Sequence, residues 1–504
     1  MNRNSLTTAV IAGIAGVAGI ANMASAVNLN PDGLGQVLLY PYYTVNGSQQ
    51  TLLSVVNTTA VGKAVKVRFL EGYNSREVLD FNLFLSPFDV WTATVFKLSD
   101  AGVSGDGAGI FTLDNSCTAP NINSQPTTID IAAGTVSYAP FLNYAYTGQY
   151  SDSGPTGDDR TNEGHFEMIT MADIVAGSDL SFDTTHQNGV PPGCGTGNSS
   201  TAEADFELDD VYTNPTSGLF GSAGVVNVGE GTFYAYNSDA LDGFTAVPLA
   251  TTTGSLTPSL AQVNDASGST ATSFVFDDGV LLTSPYNINL GTGFQTAIDA
   301  VSSVFEASNI YNEYETAADG SIGTDWVVTF PTKRFYVDPL YTSTTSAIPP
   351  FEEAFGFGPS GPGLSCTVVG ITIFDREENT TTLTGCGFSP CPPGQPPSSI
   401  CHETNVITFD ATGTASILDS GLTANIRPVG VNGWVALDLN SAAAASPHTM
   451  NAANNGNVFH GLPITGFQAV DFINGNVGGQ LANYSGVWRH RVSRLCDNGG
   501  GACS

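Results

Sequence analysis

The sequence predicts a mainly β protein, built of immunoglobulin-like β-sandwich domains with long loops and one covering helix. Three observations carry that reading. Most patterned segments alternate apolar and polar residues with period two, the signature of half-buried strands. Glycine- and polar-rich stretches separate them, as turns and loops require. Helical spacing of apolar residues stands out in one segment only.

Taken in order, the chain opens with Arg3, an uninterrupted weakly apolar run from Ala9 to Ala21, and the small residues Ala24-Ser25-Ala26. This is the pattern of a secretory signal peptide over residues 1–26, with cleavage expected before Val27. The apolar run is short of the ~20 residues that span a bilayer. Between residues 50 and 96 the strands follow one another closely. Val65, Val67 and Phe69 share one face and Lys66 and Arg68 the other, while the odd positions of Leu79–Leu85 form a second apolar face. The segment 57–62 (Asn-Thr-Thr-Ala-Val-Gly) reads as a turn, and Trp91 as a core residue of a sandwich. Further strands are expected at 274–276, 326–330, 368–374, 406–409 and 433–437. Phe294, Ile298, Val301 and Phe305 recur at helical spacing, with Thr292 three residues before Gln295 as a capping box. That predicts a helix over about 294–308 covering a sheet. Residues 102–109, 151–163, 188–202 and 342–365 read as long loops. Two β-rich domains are expected, 27–250 and 251–504, the second with the helix and a disulfide-rich segment.

Composition narrows the function. Loss of Arg3 with the signal leaves 13 basic against 46 acidic residues, a formal charge of −33, although only 12% of all residues are charged. A surface with so few cations repels nucleic acid, which is bound through Lys/Arg patches. No later stretch is apolar enough for a membrane span. The eight cysteines, 117, 194, 366, 386, 391, 401, 496 and 503, all follow the expected cleavage point. An even number in an exported chain reads as disulfides. Proximity pairs Cys496 with Cys503, and elimination pairs Cys117 with Cys194. Cys366, Cys386, Cys391 and Cys401 are spaced too irregularly for a strong zinc signature.

Several constellations bear on chemistry. As a strand, residues 203–210 place Glu203, Asp205, Glu207 and Asp209 on one face. Such oxygen-rich sets suit calcium, against the alternative of a solvated acidic strand. Asp277-Asp278 and Asp158-Asp159 are weaker candidates of the same kind. Glu163, His165 and Glu167 share a strand face, either as a metal or acid–base site or as a hydrogen-bonded surface strand. Asp375-Arg376-Glu377-Glu378 reads as a polar strand end with local ion pairs. Thr332-Lys333-Arg334 and the segment Trp488 to Arg494 are the compact basic clusters, and each is placed to meet acidic patches on neighbouring copies, head to tail. No nucleophile elbow, zinc-protease motif or phosphate-binding glycine loop is present, so no catalytic residue is assigned.

The runs Gly35–Tyr43, Tyr73–Asn82, Thr324–Arg334 and Phe472–Asn476 resemble a family of exported proteobacterial cell-surface proteins that includes surface-layer (S-layer) proteins of marine gammaproteobacteria. The resemblance implies a secreted structural protein, not an enzyme, assembling into a paracrystalline coat on the outer face of a Gram-negative cell. It also implies calcium dependence, with copies of the chain, surface glycan or lipopolysaccharide as partners. A secreted adhesin or glycan-binding protein is the alternative.

Overall fold

The computed structural model describes residues 26–194, 211–263, 269–288, 297–383, 398–409, 416–426, 428, 430–440, 447–499 and 501–503. Residues 1–25 of the expected signal segment, the acidic segment with Glu203, Asp205, Glu207 and Asp209, the capping box at 292–295, and Cys386 and Cys391 lie outside the described residues.

The N-terminal strands are β1 (Ala26–Leu29), β2 (Val37–Thr44), β3 (Gln50–Asn57), β4 (Gly62–Glu71), β5 (Glu77–Leu85), β6 (Val90–Lys97), β7 (Ala108–Phe111), β8 (Cys117–Ala119) and β9 (Glu163–Ile174). Helix α1 (Asp179–Thr184) precedes β10 (Leu219–Asn227), β11 (Thr232–Asn237), β12 (Asp239–Asp242), β13 (Thr270–Asp277) and β14 (Val280–Asn287). Next come α2 (Ile298–Phe305), β15 (Asn309–Glu315), β16 (Ile322–Thr329) and two one-turn helices, α3 (Arg334–Val337) and α4 (Pro339–Thr342). The remaining strands used below are β17 (Gly370–Asp375), β18 (Thr380–Leu383), β19 (Thr404–Phe409), β20 (Thr423–Ile426), β21 (Asn432–Asp438), β22 (Thr465–Val477), β23 (Gln480–Arg489) and β24 (Arg491–Ser493).

The protein is β-rich, as the alternation predicts, but its sheets are wider than the four and three strands of a constant-type immunoglobulin domain. The largest runs β14-β13-β1-β12-β2-β9-β4-β5-β8, with a short tenth strand (Tyr212–Thr213) on β9. A six-stranded sheet adds Ala139–Pro140 to β7-β6-β3-β10-β11. Two five-stranded sheets run β18-β17-β21-β15-β24 and β20-β19-β16-β22-β23. Strand β3 belongs to the six-stranded sheet and β4 to the ten-stranded one, so the turn at 57–62 crosses between sheets. The Asn57 amide secures that crossing by donating to Val61 O and Ser86 O.

Between these two sheets lies a core in which Val65, Val67 and Phe69 meet Leu53, Val55 and the fully buried Trp91. Phe166 stacks on Tyr40 at 4.1 Å and on Phe69 at 4.8 Å. A second core gathers around α2. Both clusters draw residues from either side of position 250, and β13 pairs in parallel with β1.

The covering helix ends earlier than its sequence pattern predicts. It occupies Ile298–Phe305, and the chain turns extended at Glu306. All eight residues are buried: the helix packs against β1, β13 and β14 of the ten-stranded sheet and is itself enclosed. Its polar members are bonded inside. Tyr336 Oη and Asn451 Nδ2 donate to Asp299, and Ser303 Oγ donates to Ser273 Oγ. It is one of four α-helices among the described residues.

Candidate functional site: a buried ionic seam

The polar face expected on β4 and the surface strand expected at Glu163–Glu167 are both interior. Lys66 and Arg68 are at most 1% exposed, and every residue of β9 is buried. Strand β9 is central, between β2 and β4, with Phe166 and Met168 facing the sandwich core. Its other face, with Glu163, His165 and Glu167, is covered by the C-terminal half of the chain. Period-two patterning distinguishes two faces but does not say that the polar one meets water.

Local sequence shapes this strand. Pro41 of β2 has no N–H for the ladder, and prolines in sheets fall at edges or bulges. The β2–β9 register shifts between Gly164 and Phe166, opposite that proline. Gly164 is required there, because a Cβ would sit 2.0 Å from Leu70 O.

The seam starts at Glu167. Its Oε1 accepts from Arg68 Nη1 at 2.7 Å and from Arg334 Nη2 at 3.3 Å. Arg68 Nε also meets Glu77 at 2.6 Å. Beside it, Glu163 accepts from Tyr42 Oη (3.0 Å), Ser420 Oγ (2.7 Å) and Gly421 N (2.7 Å). Burial pushes the Glu163 carboxyl up, and those donors oppose the shift. His165 lies between them with neither ring nitrogen hydrogen-bonded. Burial, then the charges of Arg334 and Arg68, hold it down at about 3. It is therefore neutral at physiological pH and poorly placed to take up a proton there.

A second group surrounds the β4–β5 turn. Glu71 accepts from the backbone N–H groups of Tyr73, Asn74 and Arg76, which shapes the turn. Arg160 grips Glu71 with Nε (2.7 Å) and Nη2 (2.8 Å), and Asp152 with Nη1 (2.9 Å) and Nη2 (2.6 Å). Its guanidinium also lies 4.3 Å from the Tyr146 ring centroid. Arg76 and Asn74 extend the chain of bonds to Asp338, whose carboxylate caps α4 by accepting from Leu340 N. Such doubly bidentate geometry is the strong form of charge-assisted bonding.

Lys333 and Arg334 are likewise 1% and 0% exposed, which corrects their expected surface role. Lys333 Nζ donates to Ser365 O (2.6 Å) and His402 O (3.3 Å), the neighbours of the bonded pair Cys366–Cys401. Burial lowers its ammonium to about 8, with Glu403 and Glu353 opposing. Lys63 meets Asp173 at 2.9 Å, and Lys66 meets Asp80. Six cations, Lys63, Lys66, Arg68, Arg160, Lys333 and Arg334, are thus buried. Among the described residues, the cations classed as exposed are Arg376, Arg489 and Arg491.

The other constellations have plain roles. Cys117–Cys194 and Cys496–Cys503 are disulfides, and the Cys366–Cys401 bond removes two thiolates from the alternative zinc set. Asp375 accepts from Glu377 N and Asn379 N, so 375–378 is a capped hairpin turn between β17 and β18. Asp277 ends β13 at the hairpin to β14. Asp158 accepts from Asn143 Nδ2 at 2.6 Å. Among the described residues no group of three or more His, Cys, Asp or Glu side chains is disposed to hold a metal. No helix there is long and apolar enough to cross a membrane.

Two hydroxyl–imidazole–carboxylate sets merit comparison with a catalytic relay, which needs hydroxyl and carboxylate on opposite ring nitrogens. Ser86 Oγ (3.1 Å) and Asp89 Oδ2 (3.6 Å) approach the same nitrogen, Nδ1 of His186. Thr449 Oγ1 (3.3 Å from Nδ1) and Asp497 Oδ2 (2.7 Å from Nε2) do flank His460 on opposite sides. However, the Asp497 side chain is 47% exposed, and the set links the Cys496–Cys503 ring to the Thr449–His460 bridge. An open groove on the outer face of the six-stranded sheet is lined by residues such as Leu52, Thr92, Phe111, Leu113 and Phe233, none of them titratable near neutral pH.

No family model, curated protein or solved structure matches this chain.

No local pattern reveals the seam, because its partners are distant in sequence: Arg160 is 89 residues from Glu71 and Arg334 is 167 from Glu167. One signal was available. In a chain with only four lysines and ten arginines, a cation inside an apolar strand pattern calls for a buried counter-ion.

Proposed function

We propose that the chain is a structural surface-layer protein, exported and assembling with copies of itself into a coat on the outside of a Gram-negative cell. The observation that carries this reading is the seam. Its ion pairs, Arg334 with Glu167 and Arg76 with Asp338 among them, fasten the two halves into one body. The same burial removes cations from a surface already rich in acids. A rigid acidic body that associates through a few non-acidic places or through bridging cations suits a lattice subunit. The acidic segment with Glu203, Asp205, Glu207 and Asp209 is the proposed calcium-responsive element.

The test is electron microscopy of intact cells before and after chelation, with the released protein identified by mass. An ordered surface array that is shed by chelator and re-forms with calcium is the expected result. A scarce protein, or one that stays unassembled when purified with calcium, refutes the reading. A second reading, an adhesin or glycan-binding protein, draws on the aromatic cluster of exposed Trp434 with half-buried Tyr311 and Phe374. Retention on an array of neutral glycans by single copies of the protein is its test.

A further inference from the structure

We infer that the outer face of the sheet β18-β17-β21-β15-β24 is a self-complementary contact surface for a second copy of this chain, related by a two-fold axis. The sequence of β15 alternates cleanly. Ile310, Asn312 and Tyr314 are buried, while Tyr311 is half-buried and Glu313 and Glu315 are exposed. Register then sets out the outer face in rows. Arg491, Tyr311, Ala436 and Thr372 form one row across four strands. Glu313, Trp434 and Phe374 form the next, and Glu315 lies opposite Asn432 in the row beyond. Rows on one face are about 6.7 Å apart and strands about 4.8 Å apart.

This layout is complementary to itself. A two-fold axis lying across the strands along the Glu313–Trp434–Phe374 row exchanges the row of Arg491 for the row of Glu315. Each copy's Arg491 then comes within side-chain reach of Glu313 and Glu315 of the other, with the aromatic row at the centre. Neither Arg491 nor either glutamate takes part in an ion pair among the described residues; Arg491 Nη1 donates at 3.1 Å to Asn312 Oδ1 on the buried side, a bond it would exchange for the partner's carboxylates. Trp434 is 41% exposed. Trp, Tyr and Arg at the middle of a patch are the residues that dominate association energetics. The two-fold repeats the same patch on both sides, which is what an isologous interface needs.

The ring geometry selects a protein partner over a sugar. Phe374 and Trp434 stack on each other at 4.1 Å and 7°, and Trp434 packs against Tyr311 at 6.3 Å. Stacked rings turn their edges outward, and edges meet the faces of other aromatic rings well. A sugar stacking on a ring needs an open face. Charge points the same way. Over most of an acidic surface two copies repel, and this face carries one of the few exposed cations. The inference does not rest on the coat reading, since a dimer can form whether or not a lattice does.

The experiment is sedimentation velocity and light scattering on the disulfide-intact chain 27–504 across micromolar concentrations, with thermal melts confirming that each variant folds. A dimer is expected for the unaltered chain, weakened at least tenfold by W434A. R491E and E313R/E315R are each expected to be monomers, and their combination restores the dimer. A monomeric unaltered chain overturns the inference, as does a dimer that survives both W434A and R491E. Quenching of Trp434 fluorescence by a neutral oligosaccharide in a chain that stays monomeric overturns it in favour of a glycan.

Discussion

Replacing Glu167 by Gln is the sharpest test of the seam, because one carboxylate oxygen serves two buried guanidiniums. With an effective dielectric constant of 20, unit charges 2.7 and 3.3 Å apart attract by about 6 and about 5 kcal/mol. Restoring water to the lost carboxylate offsets several kcal/mol of that. Arg68 keeps Glu77 at 2.6 Å, whereas Arg334 retains only its 3.4 Å bond to Ser75 O among these groups. The variant therefore strands one buried cation, a change that costs about 3–5 kcal/mol. A chain of this length gains roughly 1 kcal/mol per kelvin of unfolding entropy at about 2.1 cal/mol/K per residue. E167Q should lower Tm by about 3–5 °C in differential scanning calorimetry if the body unfolds as one unit. The decisive arm is the double variant. Adding R334M to E167Q removes the stranded charge, so E167Q/R334M should melt above E167Q, while exposed R376A stays near the unaltered Tm. If E167Q melts within 1 °C of R376A, or R334M lowers Tm further in its background, the seam is not a buried charge network and the reasoning fails.

Three further outcomes follow from the same structure. Burial pushes Asp299 and Asp471 up to about 7 and Glu403 up to about 8. Folded carboxyls with raised pKa hold protons that the unfolded chain releases above about pH 4, so stability rises as pH falls from 8 towards 5, by up to about 1.4 kcal/mol per unit for each fully shifted group. Tm should climb over that window and D299N should flatten the climb; a Tm that falls steadily from pH 8 to 5 refutes it. Removing Cys117–Cys194, which closes 77 residues, should cost about 4 kcal/mol, and removing Cys496–Cys503, which closes 7, roughly half that; calorimetry of C117S/C194S and C496S/C503S ranks them, and the reverse order counts against it. Calcium at a hundredfold excess over its Kd should stabilise the chain by about 2.7 kcal/mol, and E203Q/D205N/E207Q/D209N should abolish the calcium-dependent rise in Tm. An equal rise in that variant removes those four residues from the calcium reading.

What the sequence discloses follows from the range of each interaction. The strands around Val65, Leu83, Trp326, Ile407 and Val435 are local patterns, and each falls within a strand of the structure. The Cys496–Cys503 bond is legible for the same reason, since its partners are 7 residues apart. Helix α2 stops at Phe305 because the backbone of Glu306 is drawn into an extended pairing with Pro463, a partner no local pattern reveals. Lys66 and Arg68 read as the polar face of a strand, and Lys333 and Arg334 as a basic cluster facing other copies, because charge usually means water. Here the polar face of one half is covered by the other half, and only the fold brings Arg334 to Glu167. The candidate site was therefore visible as residues but not as a site.

The placement of the cations also shapes how copies can meet. Five of the six buried cations, Lys63, Lys66, Arg68, Arg160 and Arg334, pair with carboxylates that would otherwise be stranded inside, so the expected mature charge of −33 is carried mostly by the outer surface. Two such surfaces repel unless the contact is local and cationic or bridged by divalent ions. These routes respond oppositely to solution conditions. A contact built on Arg491, Glu313 and Trp434 is indifferent to chelators, and its ionic part weakens as salt shortens the Debye length to about 8 Å at 0.15 M. A contact bridged through carboxylates such as Glu203 and Asp205 is lost to chelators. A coat that uses both should come apart in two stages, chelation releasing dimers and W434A releasing single chains. Direct release of single chains by chelator alone would place the cation bridge, not the aromatic face, at the centre of assembly.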